Sequence, residues 1–151
     1  MIRKLAFAAL GAAIAFGGMT GVAQAQTAER VYDNGSVWNV SFIETKPGMF
    51  DEYMSYLNGP WRAIQEAGKK DGDILSYKIL SISSVRDHEP NLVLIVEYKN
   101  MAVFDRSLAE TDRQSAAVFG SAQKAVQSQI SREAMRNQRG GFQARELHFI
   151  K

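Results

Sequence analysis

No cysteine occurs among the 151 residues, which excludes disulfides, thiol nucleophiles and cysteine-bound metal. The same absence excludes a lipid anchor attached to an N-terminal cysteine after processing. Histidine is nearly as scarce, with only His88 and His148, too few for a histidine-rich metal site within one subunit. Proline occurs at positions 47, 60 and 90 alone, and each reads as a break in regular structure. An excess of one charge is missing as well. Eighteen basic residues face 16 acidic ones, and Arg3 and Lys4 near the N-terminus account for the whole difference. The balanced remainder lacks the basic footprint that a nucleic-acid binder needs. Beyond Phe16, no apolar run approaches the roughly 20 residues of a membrane-crossing helix, so no membrane anchor is expected.

The N-terminus carries the pattern of an export signal. Arg3 and Lys4 precede the apolar run Leu5 to Phe16, and Ala23-Gln24-Ala25 supplies the small-x-small triplet that a signal peptidase reads. The expectation is a signal peptide over 1–25, cleaved after Ala25, and a periplasmic or secreted product. The remaining 126 residues suit one domain around one core.

Residues 26–35 are polar and run into Asp33-Asn34-Gly35-Ser36, which reads as a flexible lead-in and a turn; the folded domain is expected over 36–151. Ser36 to Glu44 alternates as a strand. After Lys46-Pro47-Gly48, the residues Phe50, Tyr53, Met54, Leu57, Trp61 and Ile64 recur at helical spacing, with a kink or pause expected at Asn58-Gly59-Pro60. Ile74 to Ser83 and Leu92 to Tyr98 read as an antiparallel strand pair across a charged turn. Met101 to Asn137 is helical, with an interruption expected at Thr111-Asp112. Arg139-Gly140-Gly141 would stop that helix, after the cations Arg132, Arg136 and Arg139 had compensated its dipole. Phe142 to Ile150 closes the chain as a strand. The order β-α-β-β-α-β is that of a ferredoxin-like α+β fold, a four-stranded antiparallel sheet with helices on one face.

Two helices cover only one face of such a sheet. The first and third strands are apolar on both faces, and reading Trp38, Val40 and Phe42 as facing the helices leaves Val37, Ile43, Val93 and Ile95 on the other side. A second copy of the chain is the simplest cover for them, so a homodimer is expected.

From residue 36 to 151 the chain resembles the dimeric α+β barrel superfamily, in which two ferredoxin-like subunits pack sheet to sheet. The resemblance is carried by the strand Val37 to Ile43 leading into Lys46-Pro47-Gly48-Met49-Phe50, the kinked helix through Pro60-Trp61, the Ile74 to Ser83 strand, the Glu97-Tyr98-Lys99-Asn100 exit into Ala102-Val103-Phe104, and the closing strand. That superfamily includes antibiotic-biosynthesis and haem-degrading monooxygenases, chlorite dismutase-like haem proteins and stress-responsive barrel proteins. Its haem enzymes take an iron ligand from a histidine on a late helix. Met101 to Asn137 contains none, and no cofactor is expected.

On the face turned away from the helices, strand alternation gathers Asn39, Lys78, Glu97, Glu146 and His148 among apolar neighbours, the usual composition of a small-molecule site. His148 could act as a base near neutral pH and Lys78 could stabilise an anion. Alternatively, Lys78 and Glu97 form an interfacial ion pair and His148 lies on a solvated edge. His88, in the charged turn Arg86-Asp87-His88-Glu89, reads as a solvated loop residue. Trp61, Tyr53 and Tyr56 read as core rather than as a stacking surface for a flat ligand. Two functions follow from these residues. One is an exported homodimer binding a small apolar or aromatic molecule between its subunits, and the other is a cofactor-independent monooxygenase-like enzyme.

Overall fold

The computed structural model describes residues 30–83 and 85–150; the expected signal peptide and its cleavage point lie outside them. The chain runs β1 (Tyr32–Thr45), α1 (Phe50–Tyr56), a π-helical turn (Leu57–Trp61), α2 (Arg62–Lys70), β2 (Ile74–Ser81), β3 (Leu92–Tyr98), a 3-10 turn (Met101–Phe104), α3 (Leu108–Phe119), α4 (Ala122–Met135) and β4 (Arg136–Phe149). The strands form one antiparallel sheet in the order β2-β3-β1-β4. The topology is ferredoxin-like, with the helices on one face and the first and third strands at the centre.

Each helical break has a local cause. Pro60 cannot donate to the preceding turn, and the helix widens into the π-turn Leu57–Trp61 around it. The later helical region is not interrupted at Thr111-Asp112, which belong to the first turns of α3. There Ser107 caps the helix by accepting from the Glu110 amide, and the Thr111 hydroxyl donates back to the Ser107 carbonyl at 3.2 Å. The break falls at Gly120, whose φ of +83° ends α3, and Ser121 then caps α4 by accepting from the Lys124 amide.

Both ends of the β1–β4 pair extend beyond expectation. β1 starts at Tyr32, and the expected turn at Asp33-Asn34-Gly35-Ser36 is a bulge inside it, between the pairs Asn34↔Leu147 and Val37↔Arg145. β4 starts at Arg136, so Arg139-Gly140-Gly141 does not stop a helix. It forms a second bulge, between the pairs Phe42↔Gly140 and Ile43↔Gln138, where Gly140 takes φ +125°. Dipole compensation is accordingly left to Arg132, in the last turn of α4. Arg136 is buried, donating to the Tyr53 hydroxyl at 3.3 Å and to Glu133 at 3.0 Å. Arg139 pairs with Glu44 across the sheet.

The core lies between the sheet and the helices. Tyr53, Leu57 and Trp61 pack there with Ile43, Leu92, Leu94 and Val96, and the half-buried Tyr56 packs against them, so these three aromatic residues belong to the core side, as their spacing implies, while Phe50 is exposed. The β1–β3 register places Ile43 opposite Leu92, Ser41 opposite Leu94, Asn39 opposite Val96 and Val37 opposite Tyr98. Directly paired residues share a sheet face, so this set looks toward the helices. Val37 and Ile43 are 0 % exposed. The face assignment inferred from β1 alone is therefore reversed: Trp38, Val40 and Phe42 lie on the open face, opposite Glu97, Ile95 and Val93. For β2 and β3 the alternation holds, with Tyr77, Ile79, Leu92 and Leu94 on the helix side and Lys78, Leu80, Val93 and Ile95 on the open side.

Candidate functional site

The open face is an apolar floor with a polar end. Val40 sits between Ile95 of β3 and Phe142 of β4, and the Phe42 and Phe142 rings approach to 6.2 Å between centroids. Leu80 and Phe142 are 48 % and 52 % exposed. None of the described helices crosses this face, because both helical regions pack on the other side. At the end where β1 bulges, the floor opens into a cleft of about 770 Å³, lined by Glu97, Glu146 and His148 with Ser36, Lys99 and Arg145 among others.

The bulge builds the cleft. It turns the Ser36 side chain inward, where Ser36 is buried and its hydroxyl donates to Glu146 Oε2 at 2.9 Å. The Trp38 indole N–H donates to the same oxygen at 3.4 Å. The Ser36 hydroxyl and then the Trp38 indole hold the Glu146 carboxyl below the usual range, because both donate to the charged form. The other oxygen, Oε1, faces His148 Nδ1 at 3.9 Å, too far for a hydrogen bond. His148 lies over Gly35, where a side chain would meet its ring. Across the cleft, Glu97 Oε2 accepts from the Ser76 hydroxyl at 2.6 Å. Each carboxylate therefore has one oxygen engaged by a serine and Oε1 without a hydrogen bond among the described residues.

Of the five residues singled out from sequence, the structure brings Glu97, Glu146 and His148 together. Lys78 lies on the same face but outside the cleft, and among the described residues it forms no ion pair with Glu97. Asn39 lies on the opposite face, under the helices, because it pairs with Val96. Ser36 and Gly35 escaped the sequence reading, since Asn-Gly-Ser looks like a turn and a bulge in a long strand has no separate signature, and Trp38 falls among the residues whose face was reversed. His88 is exposed as expected, although its ring reaches Arg139 at 3.2 Å and Glu44 at 3.6 Å. No cluster of metal-binding side chains occurs among the described residues, and none of the described helices is long and apolar enough to cross a membrane.

Chemically, the cleft offers carboxylate acceptors, an imidazole that can donate or accept, and cationic donors beside an aromatic and aliphatic floor. Such a set is chemically complementary to an apolar body bearing a hydrogen-bonding group.

No protein-family model matches the chain, and no curated protein matches it. Among solved structures, protein SO0527 from Shewanella oneidensis is 11% identical, with a TM-score of 0.49, over 78% of this chain and 98% of that one. A dimeric protein of unknown function and ferredoxin-like fold from Bacteroides fragilis is 12% identical, with a TM-score of 0.37, over 77% of this chain and 97% of that one. At such identities and scores neither likeness bears on the activity or assembly of this chain, and its fold rests on its own strand order.

Proposed function

We propose that this is an exported protein that works as a homodimer, its two open sheet faces packed together as an α+β barrel, and binds a small apolar or aromatic molecule in the space between them. The observation that carries this reading is the uncovered apolar floor of Trp38, Phe42, Leu80, Ile95 and Phe142, a surface that soluble domains ordinarily bury. Packing two such faces would draw the adjoining cleft into the interface, where Glu97, Glu146 and His148 supply the polar contacts. A binding role suits the cleft better than catalysis, since among the described residues no group is hydrogen-bonded to the imidazole to orient it.

Light scattering with native mass spectrometry of protein recovered from an exporting host tests the reading as a whole. The expected result is a dimer beginning at Gln26 that carries a bound small molecule, with occupancy reduced in Glu97→Gln and His148→Ala but the dimer intact. A monomer at micromolar concentration refutes the assembly, a retained Met1 refutes export, and equal occupancy in both variants refutes the site.

A further inference from the structure

On the helix side of the sheet, a groove of about 420 Å³ runs between the π-turn and β2. Pro60 widens the helix there, and β2 is an edge strand with no further strand beside it among the described residues. The buried Leu57 and Trp61 form the floor of the groove. Met54 and Ile79, packed against the core, continue it as an apolar wall, and the Tyr77 ring meets Trp61 edge-on at 5.4 Å between centroids.

The four polar side chains of the lining are Ser55, Asn58, Arg62 and Tyr77. Two of them have their protons committed elsewhere. The Ser55 hydroxyl donates back to the Asp51 carbonyl at 2.9 Å, and the Tyr77 hydroxyl donates to Glu66 Oε1 at 2.5 Å. Asn58 Oδ1 accepts from Arg62 Nη1 at 3.2 Å, which leaves the Asn58 amide N–H groups without a partner among the described residues. That bond occupies one of the five guanidinium N–H groups, and Arg62 forms no ion pair among the described residues. No carboxylate lines the groove. Glu66 lies beyond Tyr77, and the Lys69 ammonium, 5.7 Å from the centroid of the Tyr77 ring, offsets its charge. The groove therefore presents one uncompensated cation and unused donors above an apolar floor. An ammonium would be repelled there and a neutral head would leave the charge unmatched, whereas a carboxylate fits the guanidinium fork with two parallel hydrogen bonds.

We propose that this groove is a second ligand site, separate from the interface cleft, taking a monocarboxylate with a flat or short apolar body, its head on Arg62 and Asn58 and its body against Leu57, Trp61 and Ile79.

The test uses the full domain and three probes that share one ring: benzoate, benzamide and benzylammonium, titrated by NMR. Benzoate is expected to give saturable shifts of the Trp61 indole N–H and intermolecular NOEs to the methyls of Leu57 and Ile79. Benzamide and benzylammonium should bind at least about fivefold more weakly, the order of one partly exposed bidentate pair. Arg62→Gln, at an exposed helical position, should bring benzoate down to the level of benzamide, while His148→Ala, at the interface cleft, should leave benzoate binding unchanged. The NOEs and the ranking of the probes are read in the wild-type protein, so the proposal stays testable if Arg62→Gln folds poorly. Absence of benzoate binding, equal or tighter binding of either other probe, unchanged benzoate affinity in folded Arg62→Gln, or NOEs to Trp38 and Phe142 instead would overturn it.

Discussion

Gly35 has no side chain because the His148 ring occupies the space where one would be. An added Cβ would stand 2.7 Å from His148 Cδ2 and 3.2 Å from Glu146 Cβ, so the glycine serves close approach rather than an unusual backbone angle. Gly35→Ala is expected to displace the His148 ring at a cost of about 1 kcal/mol. In a His148→Ala background part of that cost should vanish, giving a coupling of about 0.5 kcal/mol or more in denaturant titrations; strict additivity would contradict the contact. Glu146 carries a second prediction. Its folded pKa is depressed by the Ser36 hydroxyl and the Trp38 indole, so its contribution to stability is present above the unfolded value of about 4.3 and is lost as pH falls through the lower folded value. Carbon-detected NMR titration should place Glu146 below ordinary glutamates, and Ser36→Ala should move it upward. Alternation alone put Glu97, Glu146 and His148 on one face. The serine that fixes Glu146 was hidden, because no short-range pattern distinguishes a strand bulge from a turn when the residues are Asn-Gly-Ser.

At the level of elements, the boundaries that were legible are those marked by chemistry the backbone cannot evade. β3 begins and ends as the apolar run Leu92 to Tyr98 does, and Pro60 marks the π-turn. Glycine is less informative, because a left-handed residue serves a helix end and a strand bulge alike. Gly120 ends α3 and Gly140 forms a bulge, and in sequence they look the same. The difference is measurable. Gly120→Ala should destabilise the domain by about 1–2 kcal/mol, the cost of a left-handed residue with a Cβ. Gly59→Ala, in the π-turn with no atom within 4 Å of the added carbon and no positive φ, should be neutral or stabilising by up to about 1 kcal/mol. Thermal melts of the two variants compare them directly; equal losses would mean that Gly120 does not impose the break between α3 and α4.

For the whole molecule, the two faces of the sheet answer differently to the same insult. Ile43 is sealed under the helices and Ile95 lies on the open floor. Ile43→Lys should therefore prevent folding, since a buried unpaired charge costs about 3 kcal/mol or more. Ile95→Lys should instead yield a folded monomer, read by circular dichroism and sedimentation; an unfolded Ile95→Lys would argue that the face is not an interface between stable subunits. Which face of β1 points where was not legible in the sequence. Val37 and Ile43 on one side are matched by Trp38, Val40 and Phe42 on the other, and only the pairing of Ile43 with Leu92 resolves the tie. That pairing has a counterpart at the other end of the chain: β1 lies between β3 and β4, and Ser36 meets Glu146 across 110 residues of sequence. The first of the described strands is thus completed by the last of them. So long a loop closes slowly, and its closure must precede the contacts that stabilise it. During translation, β1 has one edge waiting for residues that have not yet emerged, and the sheet cannot lock until β4 is free.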